Sequence, residues 1–269
     1  MSRKSTQWFC YSDTLQANSH ETEPSMSRIY KDQESIDAVK VRDFFNGRAK
    51  KEGNAVNAVM LQSEGSTIAV DRDIHEKTHL LPRLERPSKI LELGCGAGRL
   101  ATFYNNNGNQ YLGFDFSEEL IARAKAEIGD DENVQFQVVE VPRIAVEDFK
   151  LQPPFDFFLI TGLFIYLNDE AVHDTFKMIA KLAAPNATIY VRESLSELDV
   201  RLTLKEHFSE ELDEVYNAIY RTTAELTEVM TDTLVKAGFA FEVCGEYAFP
   251  PALRNRAETA QRYFMLRRG

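Results

Sequence analysis

The stretch KILELGCGAGRL, Lys89 to Leu100, sets an aliphatic run directly against three glycines at alternate positions. Lys89–Leu93 reads as a short buried strand and a helix is expected from about Arg99, so Gly94, Gly96 and Gly98 occupy the turn between them. A glycine turn lets a ligand approach the backbone where a side chain would block it. The helix that follows offers unpaired N–H groups to the same ligand.

Outward from this turn the chain alternates. Further apolar strands are expected at Gln110–Phe114, Val134–Val139, Phe155–Thr161 and Thr188–Arg192, with helices clearest at Ser117–Ile128 and Asp169–Ala183. The strands are nearly continuous apolar runs, which suits strands covered on both faces, and strand–helix alternation predicts a parallel, doubly wound sheet. Near the end, FAFEVCGEYAF and RYFMLRR follow one another without a helix between them, so an antiparallel strand should close one edge. The fold expected is α/β, a Rossmann-like sheet of seven mostly parallel strands. Upstream, IDAVKVRDFF and DRDIHEKTHLLPRL carry helical spacing. The organisation expected is a mobile extension over 1–27 and one domain over 28–269. Within that domain, 28–86 forms a helical lid, 87–193 the ligand-binding core, 194–237 a helical substrate insert and 238–269 the closing strands.

With 269 residues, 43% hydrophobic and 27% charged, the composition is that of an ordinary globular protein. A formal charge of −11 argues against a nucleic-acid partner, which would require clustered Lys and Arg. Cys10, Cys95 and Cys244 lack CxxC spacing, which suits reduced thiols and no metal site. No apolar run reaches the ~18 residues of a membrane span and no apolar secretory centre is visible, so the expected compartment is the cytoplasm, without membrane contact.

A dinucleotide turn, GxGxxG, would place glycine where Arg99 stands. The actual spacing, Glu92-x-Gly94-x-Gly96-x-Gly98, resembles the first motif of class I methyltransferases, which bind S-adenosylmethionine (SAM). Asp115, ending the second strand, is placed to accept hydrogen bonds from ribose hydroxyls, with capping of the helix beside Ser117 as the alternative. The resemblance implies that Glu92, Gly94, Cys95, Gly96, Gly98, Asp115 and Phe116 contact the cofactor. It implies the same for Glu140 and Val141 after the third strand, with solvation as the other reading of Glu140, and for Thr161 and Gly162 after the fourth. Phe164, Ile165 and Tyr166 then wall the cofactor or start the next helix. A looser resemblance, carried by FFNGRAKKEGNAVNAVML, IYRTTAEL and LRNRAETAQRYFMLRR, is to bacterial methyltransferases of polysaccharide and specialised-metabolite pathways.

Methyl transfer from a sulfonium needs positioning and exclusion of water, and a hydroxyl acceptor needs a general base besides. The catalytic candidates are His207, Glu193 and Tyr166. His75 and His79, four apart on one helix, share a face and read as a surface pair or a ligand bracket. Arg48, Tyr216, Tyr220, Arg221 and Arg254 are the candidate substrate contacts, Arg being suited to phosphate or carboxylate, unless each simply pairs with an acid. The expected activity is methylation of a small molecule, first a sugar hydroxyl. The alternatives are N-methylation of an amine, peptide or protein, or a noncatalytic SAM-binding protein. No metal is expected, and the oligomeric state is not legible.

Overall fold

A computed structural model describes residues 27–51, 67–209 and 213–269. The expected extension, Ser27 apart, lies outside the described residues. So does most of the stretch that follows the first helix.

Strand β1 (Arg28–Tyr30) leads to helices α1 (Ala38–Lys51) and α2 (Ile68–His79). The alternating region follows as β2 (Lys89–Leu93), α3 (Ala101–Tyr104), β3 (Gln110–Asp115), α4 (Glu118–Ile128), β4 (Val134–Val138), β5 (Phe155–Thr161), α5 (Asp169–Leu182) and β6 (Ala183–Ser196). The chain finishes as β7 (Leu202–Ser209), β8 (Glu214–Tyr220), α6 (Thr223–Met230), β9 (Phe239–Tyr247) and β10 (Thr259–Arg268).

The main sheet has seven strands in the order β4-β3-β2-β5-β6-β10-β9. Pairings from β4 to β6 are parallel, and β10 runs antiparallel to both β6 and β9 at that edge. Each strand presents alternate residues to opposite faces. On β5, Phe158 and Ile160 join Leu91, Leu93, Phe114 and Phe176 on one side. Phe157 and Leu159 join Ile90, Tyr111, Phe136 and Tyr190 on the other. These side chains are almost wholly excluded from water, each contributing about 1.5–3 kcal/mol of transfer free energy. Two apolar faces on one sheet are what the unbroken hydrophobic runs required.

The expected helical insert over 194–237 is largely strand. β7 and β8 pair antiparallel, and β1 adds to the outer side of β7, giving a second sheet of three strands. LTLKEHF and EVYNAIY contain β-branched and aromatic residues that suit strands. Leu202 and Leu204 bury on β7, and Tyr216, Ala218 and Tyr220 on β8. Helix appears at α6, where Thr222 and Glu225 form a reciprocal capping box, and in the π-helical turn Thr231–Val235 that continues it. The small sheet and α1 share a core around Phe44, Phe45, Ala97, Leu120, Ile165, Leu202, Tyr216 and Ala218. That packing sets α1 against α4 and β8 and puts Phe45 on a wall shared with the glycine turn.

Candidate active site

The glycine turn closes through backbone contacts first. Gly94 and Cys95 both donate N–H bonds to the Phe114 carbonyl, at 2.8 and 2.9 Å. Gly96 sits at φ +55°, in the left-handed region, and donates its N–H to Asp115 Oδ2 at 2.9 Å. Asp115 Oδ1 accepts from Ser117 N, also at 2.9 Å, and Ser117 caps α4 by accepting from Leu120 N. The capping role in this turn therefore belongs to Ser117, whose hydroxyl also donates to Asn46 Oδ1 on α1. Asp115 is buried, and burial pushes its carboxyl up to about 6 against the downward pull of the N–H groups of Ser117, Gly96 and Phe116. Each of its oxygens retains a lone pair for a further donor.

A cleft opens beside this carboxylate. Of the residues expected at the cofactor, Gly94, Gly96, Asp115, Phe116, Glu140, Val141, Thr161 and Gly162 line it. Phe45, Leu120 and Leu163 join them; nothing in their sequence context distinguishes them from ordinary core residues.

Glu92, Cys95 and Gly98 lie beneath the turn, outside the lining. Glu92 is buried on β2 and accepts a hydrogen bond from the Tyr111 hydroxyl, with burial pushing its carboxyl up to about 8. Cys95 is buried and packs under Gly113. Gly98 answers to packing inside the protein, because a Cβ there would collide with Ile128 Cδ1 and press on Phe136. Arg99, the residue that breaks the dinucleotide pattern, ion-pairs with Asp73 at 2.6 Å and Glu76 at 2.9 Å, fixing α2 to the turn.

A second, polar cavity meets the cleft at Thr161, Gly162 and Tyr166, which line both. Its remaining wall includes Arg72 from α2, Arg192 and Ser194 from β6, and Arg254 and Arg256 from the β9–β10 connection. Tyr166 is held by an edge-to-face contact with Phe45, centroids 4.9 Å apart, and burial raises its phenol well above the ordinary value. It is a neutral hydrogen-bond donor.

Glu193 faces the opposite side of β6 from Arg192 and Ser194, and lines neither cavity. Its Oε1 accepts from Leu163 N at 2.7 Å and Phe164 N at 2.9 Å, so it positions the turn that carries Tyr166. Burial pushes it up to about 7 against those N–H groups. The folded-state value lies above the unfolded one, so its contribution to stability is complete below the ordinary glutamate range and is lost as pH rises through about 7. Glu193→Gln keeps the amide-accepting oxygen and removes the charge. It is expected to remove the loss of stability between the ordinary glutamate range and about pH 7, gaining on the order of 2 kcal/mol over wild type at pH 9 in urea melts and little at pH 5. Equal stability of the two proteins at both pH values would contradict this role.

Arg221 is likewise internal rather than a substrate contact. It donates to the carbonyls of Phe164 at 2.7 Å and Leu167 at 2.8 Å, and to Asp169 at 2.6 Å. These bonds clamp the same turn from its other side. Arg48 is buried on α1 against the Phe44 ring. The hydroxyls of Tyr216 and Tyr220 pair with one another; Tyr220 reaches the polar cavity, Tyr216 does not. His207 lies on β7 in a third, outer cavity shared with Tyr216, Tyr220, Arg256 and Glu258, its Nδ1 2.9 Å from Ser27 Oγ. It lines neither the cleft nor the polar cavity. His75 and His79 stack at 4.5 Å, and His75 abuts Phe249. Among the described residues no His, Cys, Asp and Glu group is arranged to hold a metal. No described helix is long and apolar enough to cross a membrane.

Residues 91–189 match a family model described as a methyltransferase domain. Phosphoethanolamine N-methyltransferase 3 of Arabidopsis thaliana is 29% identical over 147 residues, 53% of this chain and 28% of that protein. Among solved structures, phosphoethanolamine N-methyltransferase 1 of Haemonchus contortus, in complex with phosphoethanolamine and S-adenosylhomocysteine, aligns with a TM-score of 0.62 at 15% identity. That alignment covers 86% of this chain and 48% of the other. Magnesium protoporphyrin IX methyltransferase from Synechocystis PCC 6803, with bound SAM, aligns at 0.53 and 16% identity over 88% of this chain and 100% of that one. The chain thus spans about a quarter to a half of the phosphoethanolamine enzymes it resembles. Strand order and glycine turn agree with these matches: residues 91–189 are similar to a methyltransferase domain, and the fold is the one shared by the SAM-dependent methyltransferases among the solved structures.

Proposed function

We propose that this chain methylates a small molecule that sits in the polar cavity and meets the cofactor at Tyr166. The observation carrying this reading is the shared wall: the glycine-turn cleft and the polar cavity touch only through Thr161, Gly162 and Tyr166 among the described residues. The residues of the cleft fit SAM. Gly96 leaves its backbone open to the ligand, and the buried Asp115 carboxylate has lone pairs to spare for a ribose diol. The apolar walls of Phe116, Leu120 and Val141 suit an adenine ring. When bound, SAM supplies an electrophilic methyl group on a sulfonium.

The chain's own contribution is position and dryness. Glu193 and Arg221 fix the 163–167 turn from two sides, so Tyr166 and Gly162 form a rigid seam between donor and acceptor. Phe45 from α1 roofs the cleft and keeps water from it. The Tyr166 phenol stands at the seam to orient the acceptor by donating a hydrogen bond.

No His, Asp or Glu lines the polar cavity among the described residues. That favours an acceptor atom that is nucleophilic without losing a proton to the protein, such as an uncharged amine, over the sugar hydroxyl expected from sequence. The two phosphoethanolamine N-methyltransferase relatives support the amine reading. Incubating the protein with methyl-labelled SAM and a metabolite extract should yield a small labelled product whose mass rises by one methyl group. SAM binding without any labelled product would favour a noncatalytic SAM-binding protein, and binding of NAD in place of SAM would end this reading.

A further inference from the structure

Glu206 breaks the pairing of β7 with β8. It sits at φ +53°, in the left-handed region that a glutamate rarely adopts, and the register shifts there, between Leu204 and His207. In an unbroken ladder Glu206 would stand opposite Tyr216; with the extra residue, His207 does. The bulge is built in, because the Glu206 N–H donates to Asn217 Oδ1 at 2.8 Å. Bulges re-aim side chains, and cross-strand partners share a face of the sheet. His207 is thereby turned to the side on which Leu202, Leu204, Tyr216 and Tyr220 are buried. All five residues line the outer cavity.

This cavity adjoins the others. Tyr220, Arg256 and Thr259 line both it and the polar cavity, just as Thr161, Gly162 and Tyr166 line both the polar cavity and the cleft. Three spaces therefore run in series from the glycine turn to the small sheet. The walls of the outermost are largely aliphatic and aromatic. Arg28 there is paired with Glu258, which also accepts from the Tyr30 hydroxyl at 3.0 Å, and the hydroxyls of Tyr216 and Tyr220 are spent on each other. His207 Nδ1 is engaged by Ser27 Oγ at 2.9 Å, whereas its Nε2 has no hydrogen-bond partner among the described residues. Burial, helped by the charge of Arg28, lowers the pKa of His207 below the ordinary histidine value, so the ring is uncharged near pH 7. Apolar surface with one neutral hydrogen-bonding edge is the usual make-up of a small-molecule pocket.

Resting on the methyl-transfer reading above, we infer that the outer cavity is a distal acceptor subsite, which takes the uncharged, mostly apolar end of an elongated acceptor and reads one hydrogen-bonding atom on it through His207. The acceptor's reactive end lies at the Tyr166 seam and its middle passes Tyr220 and Thr259. His207 is then a specificity-determining residue, placed by the bulge, and not the base of methyl transfer. The small sheet sets which acceptors fit.

Calorimetry on the full chain saturated with S-adenosylhomocysteine, titrated with phenylalkanols of increasing chain length and with their 4-hydroxyphenyl counterparts, tests this. The longest members should bind at least about tenfold tighter than the shortest, as the ring enters the outer cavity. The phenol should add about fivefold in wild type and nothing in His207→Phe. Ala257→Trp sets a large ring into this cavity from an exposed position. It should cancel the gain of the long members while leaving the shortest members and S-adenosylhomocysteine bound as in wild type, because Ala257 lines neither other space. The subsite is overturned if affinity is indifferent to chain length, or if the gain with length survives Ala257→Trp while thermal melts show that variant folded. A phenol increment that persists in His207→Phe overturns the role of His207. Failure of S-adenosylhomocysteine itself to bind is a separate result, and would remove the underlying function.

Discussion

Gly96→Arg is expected to abolish SAM binding, weakening it by at least about a thousandfold, or about 4 kcal/mol. Two effects combine. Gly96 adopts φ +55°, which an L side chain rarely accepts, and its N–H fixes the carboxylate of Asp115. Gly96 also lines the cleft, at the turn the ligand has to approach. Calorimetry should show no heat of binding, and excess SAM should no longer raise the melting temperature as it does for wild type. Gly98→Ala provides the contrast. Its cost comes from its left-handed backbone at φ +80° and from the contacts with Ile128 and Phe136, and Gly98 lies outside the cleft lining, so it should lower stability while leaving the affinity of the folded fraction nearly unchanged. Normal SAM affinity in Gly96→Arg would mean that the ligand lies elsewhere.

Glu76→Gln carries the largest expected loss of stability, about 3–5 kcal/mol in urea melts. Glu76 is fully buried and compensates two guanidiniums, Arg192 at 2.6 Å and Arg99 at 2.9 Å, while accepting from the Tyr190 hydroxyl at 3.0 Å. Burial alone would push its carboxyl up; the charges of Arg192 and Arg99 win and hold it down at about 2. The folded value lies below the unfolded one, so this stabilisation is complete above the ordinary glutamate range and is lost as pH falls towards 2. Neutralising the residue leaves the buried Arg192 without its carboxylate partner and Arg99 with Asp73 alone. A loss below about 1 kcal/mol would contradict the arrangement. The effect reaches function as well, because Arg192 lines the polar cavity and α2 supplies Arg72 to it.

Much of the site was legible because it depends on local chemistry. The strand–glycine–helix turn, Asp115 at the end of β3 and Thr161-Gly162 at the end of β5 are read from residues next to one another, and all line the cleft. The small sheet was not legible. Its strands pair Arg28–Tyr30 with residues more than 170 positions away, and the short stretches of β7 and β8 were mistaken for helix in a segment flanked by helical patterns. Glu193 reads as a candidate base but binds backbone amides, and Arg221 reads as a substrate contact or the partner of an acid, of which the structure shows the second through Asp169. A sequence shows that a charge is present, not whether it will face a cavity or the backbone carbonyls and amides of a turn. The polar cavity escaped for the same reason: Arg72, Arg192 and Arg254 lie far apart in the chain and converge only when α2, β6 and the β9–β10 connection meet.

The central claim is that donor and acceptor meet at the Thr161–Gly162–Tyr166 seam. A crystal structure of the full chain with S-adenosylhomocysteine tests it most directly. The account predicts the ligand's ribose against Asp115, its amino-acid end over the glycine turn, and its sulfur at Tyr166 facing the arginine-lined cavity. A ligand seated elsewhere, or a sulfur directed away from that cavity, would contradict it.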